Sequence, residues 1–304
     1  MKKILILAPT EQTRKGHMNW LAFRDALRER LTGEVQVEMA AIKQLTFVLD
    51  GQKTRIYDAE QNFDVADFDL VVFRTIGKLK EEAIAIAAYC RSKNIKYIDG
   101  YIPKIGINKL SCAFIRWEHD LPVPETVYGP AESVFSQVSV TGLPAVLKAS
   151  DGKKGRDNYL VNSPEAIQEI LSSNPEKTFV LQKFIANDGD LRLVVLNDRV
   201  RLIISRQAQN STHLNNTSQG GKAELIPLES VPPDVIELAL QATKLEQLSV
   251  SGVDIIEEQN SGRYYILEVN RAPQIGTGEF VDEKLEAYAR ALAELVELEV
   301  YDAK

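Results

Sequence analysis

Residues 2–8 open on two lysines and continue as an unbroken apolar run from Ile4 to Ala8, the pattern of a parallel strand covered on both faces. A polar loop at 10–17 follows. The hydrophobic spacing then changes to that of a helix, with Trp20, Phe23, Leu27 and Leu31 along one stripe. Residues 35–40 and 70–73 read as further strands, 81–91 as a helix and 95–98 as a strand. Together these predict a βαβ-type unit in a small doubly wound sheet. Residues 108–119 predict a helix turning Leu110, Phe114 and Trp117 inward, ended by Leu121-Pro122-Val123-Pro124, and a domain boundary falls just before it. A strand at 145–147 runs into Lys148, a helix covers 164–171, and a buried strand covers 178–185. Strands at 190–196 and 200–205 pair antiparallel around Asn197-Asp198. Pro232-Pro233 opens a helix whose stripe is Val235, Leu238, Ala242 and Leu245. A hairpin of 253–256 and 264–270 comes next, turning at 257–262. The closing helix buries Val281, Leu285, Tyr288, Leu292 and Leu295.

Composition narrows the class. With 304 residues, 44% hydrophobic and 26% charged, the chain is a soluble globular protein long enough for two or three units. A net charge of −7 argues against a general nucleic-acid binder, while leaving room for a local basic patch. Only Cys90 and Cys112 are present, without metal-ligand spacing, so a disulfide framework is not expected and a reducing cytoplasm is. The first apolar run is too short to cross a membrane and turns polar at once, unlike a signal peptide. Neither G-x-G-x-x-G nor a Walker A loop occurs.

The candidate chemistry centres on the last hairpin. Strand alternation puts Tyr264, Ile266, Glu268 and Asn270 on one side, and Tyr265, Leu267 and Val269 on the other. The hairpin can bring Asp254 beside Glu268 and Asn270. Two carboxylates held together call for a cation, and an oxygen-only donor set suits Mg²⁺. A solvent-facing ribbon is the plain alternative. Lys148 ends a strand and precedes a loop punctuated by Gly152 and Gly155 and carrying Lys153, Lys154 and Arg156, as a phosphate-covering flap requires. A mobile hairpin would look the same. Arg14, Lys15 and His17 make a basic loop after the first strand, compatible with a ligand crevice or with solvated surface. Arg74 ends an apolar strand, where a guanidinium can take a carboxylate bidentately or form an interdomain salt bridge. Arg192 and Arg206 interrupt apolar strands and demand an acid or a phosphate. The long polar loop 207–221 holds His213, Asn215 and Asn216.

In this order the pieces resemble the ATP-grasp superfamily, and within it the RimK-type carboxylate–amine ligases, over nearly the whole chain. FRTIG at 73–77 resembles the R-x-G segment that closes the first domain, and NKLS at 108–111 with LPVPET the entry to the central one. Lys148 matches the phosphate-binding lysine, and QKFI (Gln182, Lys183, Phe184, Ile185) the hinge that holds adenine. Asp190 and Arg192 match the D-[IL]-R strand start, whose acid contacts the nucleotide. Arg206-Gln207 matches the R-Q pair, and Asn216 the asparagine of the next loop. Asp254, Glu268 and Asn270 match the metal triad. Asp157, Lys183, Leu214 and Arg271 depart from the pattern, standing where a glycine, an acid, an arginine and a small residue are usual.

The resemblance implies an α/β (α+β) ATP-grasp fold: an N-terminal doubly wound domain over 1–107, a central subdomain with its flap over 108–185, and a metal-bearing subdomain over 186–304. It implies ATP and Mg²⁺ (or Mn²⁺) as cofactors, and ligation of a carboxylate to an amine through an acyl phosphate. Lys148, Gly152, Lys153, Lys154, Gly155, residues 182–185, Asp190, Arg206 and Asn216 would hold the nucleotide, with Lys148 and Arg206 catalytic. Asp254, Glu268 and Asn270 would hold the metal, and Arg74, Arg271 and Asn216 the substrate. The partners expected are a small-molecule or peptide carboxylate and an amine, with neither nucleic acid nor membrane, in a homo-oligomer if the chain follows its type. Ester or thioester formation, or a regulatory ATP-binding module without catalysis, are the rival readings.

Overall fold

The computed structural model describes residues 1–10, 19–31, 35–50, 54–76, 78–99, 109–150, 157–207 and 222–297. The first unit contains β1 (Lys2–Ala8), α1 (Trp20–Arg30), β2 (Val35–Ala41), β3 (Thr46–Leu49), β4 (Thr54–Asp58), β5 (Phe63–Asp64), β6 (Leu70–Phe73), α2 (Lys80–Ser92) and β7 (Lys96–Ile98). Four strands form a parallel sheet in the order β2-β1-β6-β7. Alternation along β1 sends Ile4 and Ile6 toward α1, and Leu5 and Leu7 toward α2, which is why this strand is apolar from Ile4 to Ala8. Strands β3, β4 and β5 add a small antiparallel sheet that hydrophobic spacing did not announce.

The helix α3 (Lys109–Glu118) forms where expected but presents another face. Phe114 and Trp117 are 61% and 68% exposed, whereas Cys112 and Arg116 are buried. The reason is electrostatic. Arg116 donates to Glu246, a carboxylate buried behind α3, and that pair sets the rotation of the helix in place of the aromatic stripe.

The central sheet is antiparallel, built from β8 (Thr126–Gly129), β9 (Ala145–Ala149), β10 (Asn158–Val161) and β11 (Phe179–Lys183), in the order β10-β9-β11-β8. The helices α4 (Ala131–Ser136), α5 (Val138–Thr141) and α6 (Pro164–Ser173) belong to this unit, and Leu147, Leu181 and Phe179 pack with residues of α4 and α6. Lys148, on the alternate face of β9, points away from that core.

The last sheet runs β14-β13-β12-β15-β16. Its strands are β12 (Asp190–Leu196), β13 (Arg199–Gln207), β14 (Lys222–Ile226), β15 (Val250–Glu257) and β16 (Tyr264–Asn270), all antiparallel. Asn197 and Asp198, at φ 50° and 57°, make the tight two-residue turn from β12 to β13. The helix α7 (Pro233–Leu245) covers the face bearing Leu193, Val195, Val253 and Ile255. The helix α8 (Val281–Leu295) covers the apolar end of the other face. Its Leu285, Tyr288 and Leu292 join Val194, Leu196 and Ile204 of this sheet to Ile4, Ile6 and Val37 of the first one in a shared core. Among the described residues, no helix is long and apolar enough to cross a membrane.

Candidate functional site

The polar end of the α8-facing sheet surface gathers the residues of interest, and strand register alone places them. Arg192 on β12 lies across from Asp254 on β15, which lies across from Glu268 on β16. One step along, Val194 is level with Gly252 and Asn270. In the other direction Asp190 is level with Arg206 on β13. Asp254, Glu268 and Asn270 therefore share one face. That outcome depends on an irregularity: pairing shifts between Asp254 and Ile255, so that Asp254 meets Glu268 while Ile255 meets Ile266. The extra residue, Leu267, bulges the strand. Ile266 and Tyr264 consequently pack with the α7-side core, and Leu267 and Tyr265 take the site side with Ile256 and Ile185. The strict alternation read from the sequence is corrected here, since no regular strand puts Ile266 opposite Ile255 and Glu268 opposite Asp254.

The polar groups interlock. Arg206, 4% exposed, donates through Nε and Nη2 to both Asp190 oxygens at 2.7 and 2.5 Å, and its Nη2 lies 3.1 Å from Asp254 Oδ1. Arg192 grips Asp254 from the other side, Nε to Oδ1 and Nη2 to Oδ2, both at 2.8 Å. Asn270 Nδ2 donates to Asp254 Oδ2 at 3.2 Å and to the Gly252 carbonyl at 3.4 Å. Burial opposes the charge on Asp254, but Arg192 and Arg206 outweigh it and hold the carboxyl below its ordinary range. At Asp190 burial wins over the Arg206 pairing and pushes the carboxyl up. Burial also opposes the Arg206 charge, and the two acids more than offset it.

Lys148 Nζ donates to Gln182 Oε1 at 2.7 Å, and Gln182 Nε2 to Thr126 Oγ1 at 3.0 Å, on the face of the central sheet opposite its apolar core. Three residues beyond Gln182, the buried Ile185 reaches the site face beside Ile256. The segment 182–185 thus links the lysine-bearing sheet to the acid-bearing one. Arg74 is 2% exposed, stacked over Tyr288 at 5.2 Å and Phe23 at 5.9 Å, and donates to the Pro273 carbonyl at 2.9 Å. Arg271 pairs with Glu246 at 2.9 Å and donates to Cys112 Sγ at 3.0 Å. Both guanidinium groups brace the ends of the segment 271–273 from behind. Gly152, Lys153, Lys154, Gly155 and Asn216 lie outside the described residues, as do Arg14, Lys15, His17, Arg156, His213, Leu214 and Asn215.

Residues 108–291 match the model of the RimK-like ATP-grasp domain. The chain belongs to the RimK-like ATP-grasp family. It is 29% identical over 172 residues to a probable alpha-L-glutamate ligase of Aeromonas salmonicida, covering 55% of this chain and 56% of that protein. A protein of the same name from Parasynechococcus marenigrum is 30% identical over 164 residues, 53% of this chain and 34% of that one. The chain thus spans about half the length, or less, of these curated relatives. The solved ATP-grasp ligase PsnB, complexed with a phosphomimetic precursor variant, Mg and ADP, superposes with a TM-score of 0.70 at 14% identity, over 98% of this chain and 99% of PsnB. That likeness establishes the ATP-grasp fold.

Within the family, two departures acquire physical reasons. Asp157, where glycine is usual, adopts φ 54°, the left-handed region that glycine favours and aspartate tolerates, and Lys177 and Tyr159 donate to it at 2.8 and 3.2 Å. Lys183, where an acid is usual, pairs with Glu125 at 3.4 Å. Sequence reading missed Lys284, a buried ammonium on α8 that donates to the Thr277 carbonyl at 2.7 Å. Burial, with Arg192 nearby, pulls it down to about 8. It walls a small cavity with Arg192, Arg206, Gln274 and Glu279. The available signal was a lysine one turn into an otherwise apolar helix stripe. Hard-cation chemistry is also testable on these atoms. Glu268 and the Asn270 carbonyl offer oxygens of the right kind, but Asp254 already accepts three hydrogen bonds, two from Arg192 and one from Asn270, and pairs with Arg206 besides.

Proposed function

We propose that this chain is an ATP-dependent carboxylate–amine ligase. The reading is carried by the register that sets Asp254 across from Glu268, and Gly252 across from Asn270, on a face shared with the Asp190–Arg206 pair. The γ-phosphoryl group passes to a carboxylate oxygen, ADP leaves, and an amine then attacks the acyl carbon. Phosphate departs with the bonding pair, the amine gives up a proton, and an amide remains. Little covalent help is needed from the protein, because the demand is for placement and for charge at the phosphoryl oxygens.

Lys148, oriented by Gln182 on the face of the central sheet opposite its apolar core, would serve the α- and β-phosphates. Lys153 or Lys154, with Gly152 and Gly155, would serve the γ end. Gln182, Lys183, Phe184 and Ile185 take the base, and Asp190, steered by Arg206, takes the ribose side. Arg206 also faces the developing charge, and Asn216 would help to hold nucleotide and substrate. Glu268 and Asn270, with Asp254 once a donor withdraws, would hold Mg²⁺ or Mn²⁺, which would supply positive charge for the transferring phosphoryl oxygens. Arg74 and Arg271 act on the substrate through the segment 271–273 that they brace. The reaction runs in the cytoplasm, and the substrates are a small-molecule or peptide carboxylate and an amine. The name borne by the relatives puts L-glutamate first among amines to try.

The test is ADP release from amino acids and short peptides offered in pairs, with mass spectrometry of any product. A mass increase of ester or thioester type would redirect the reading to another acceptor, and nucleotide binding without turnover to a regulatory module. In the active pair, Glu268→Ala is expected to lower kcat by at least about 100-fold with the fold intact. Unchanged acceptor-dependent ADP release in that variant would remove Glu268 from the site.

A further inference from the structure

Asp254 is held more completely than a metal ligand waiting for its ion needs to be. Arg192 lies directly across from it, and its fork covers both carboxylate oxygens at 2.8 Å. Asn270 Nδ2 donates to Oδ2 at 3.2 Å, and Arg206 Nη2 makes an ion pair with Oδ1 at 3.1 Å. The Arg192 position is built into the strand. At Gly252, two residues before Asp254, a Cβ would stand 3.6 Å from Arg192 Cδ and 3.2 Å from Pro273 Cβ. The arginine stem therefore runs over bare backbone. On its other side lies a cavity of about 40 Å³ bordered by Lys284 and Gln274, so the side chain is not wedged into the apolar core. Arg192 has no part in the reaction as argued above.

We propose that Arg192 is a resident counter-cation on Asp254, keeping that seat closed to free divalent metal and yielding it when the metal arrives with nucleotide. The inference rests on the ligase reading for the identity of the seat. Its logic is charge balance. Asp190 and Asp254 against Arg192 and Arg206 sum to zero, and Glu279 and Lys284 on the adjoining cavity cancel, so a bare divalent ion meets two guanidinium groups and an ammonium, with Glu268 the further acid of this row. An ion carried on phosphates brings its own negative charge. Those phosphates also offer the displaced guanidinium a second bidentate partner, which a compact ammonium could not exploit in the same way. The enzyme would then take up the metal–nucleotide complex and not metal first.

The experiment is a Mn²⁺ titration followed by loss of the free-ion electron paramagnetic resonance signal, on the full chain, with and without ADP. Without ADP, Arg192→Met is expected to bind Mn²⁺ at least about tenfold tighter than the unaltered protein, and Arg192→Lys to fall between them. Adding Asp254→Asn to Arg192→Met should abolish the gain. With ADP the single variants and the unaltered protein should agree within about threefold, because the arginine has already been displaced. Equal ADP-free affinities, or a gain that survives Asp254→Asn, would overturn the proposal. If Arg192→Met does not give a cooperative melt, Arg192→Lys carries the decision, and absence of any gain in it counts against the proposal. Failure of the ligase reading shows elsewhere, as absence of ADP release from the unaltered protein with every substrate pair.

Discussion

At the scale of single residues, Arg206 has the largest electrostatic consequence. It is buried between two carboxylates, and both depend on it. Arg206→Met is expected to cost about 3–5 kcal/mol in urea denaturation, since removing one partner of a buried ion pair strands the others. A loss below about 1 kcal/mol would mean that water reaches Asp190 in the folded state. Legibility at this scale was uneven. Asp254, Glu268 and Asn270 could be read because oxygen side chains interrupting apolar strands at matching positions are costly without a purpose. Arg192 and Arg206 could be read as needing acids. Which acid each would take could not, because it depends on register across three strands: Arg192 takes Asp254, the residue expected to be left for metal.

At the scale of elements, continuous or strongly periodic runs were read correctly, and failures occurred where one interaction overrode a period. The bulge at Leu267 reversed the faces of Tyr264 and Ile266 without disturbing Glu268 and Asn270. Arg116, drawn to Glu246, turned α3 so that Phe114 and Trp117 face outward. The strands β3, β4 and β5 carry too few consecutive apolar residues to announce themselves. In contrast the stripe of α8 was legible apart from the buried Lys284, with Leu285, Tyr288 and Leu292 buried and Val281 and Leu295 partly so, and it has a consequence that spacing could not show. Leu292, fully buried, packs in a cluster that includes residues of both the first and the last sheet. Leu292→Ala is expected to cost about 2–5 kcal/mol, within the range for an emptied core site. If α8 couples the two sheets as the cluster implies, denaturation followed by near-UV circular dichroism should keep one transition in this variant and move it to lower urea. Two separated transitions would show that each sheet folds without the other.

At the scale of the molecule, the first sheet reaches the site through one buried arginine. Arg74 follows β6 and donates to the Pro273 carbonyl, a residue that also packs over Gly252 beneath the site. Asp99, just after β7, stands 4.0 Å from Arg74 Nη1, is 0% exposed and, among the described residues, makes no hydrogen bond through either carboxyl oxygen. Burial pushes its carboxyl up to about 7, against the pull of Arg74. The sign follows from proton counting. A carboxyl whose folded pKa lies above its unfolded value, near 4, keeps its proton longer in the native state, so native stability is favoured at acid pH and declines as pH rises through about 4 to 7. A shift of that size corresponds to about 4 kcal/mol across the window. Asp99→Asn, which cannot ionise, is expected to flatten this decline: little change near pH 4, and a variant more stable than the unaltered protein above pH 7. Urea denaturation at several pH values measures it directly. Parallel stability profiles for the two proteins would mean that Asp99 stays ionised against Arg74, and that this link between the first sheet and the site is an ordinary salt bridge at all pH values.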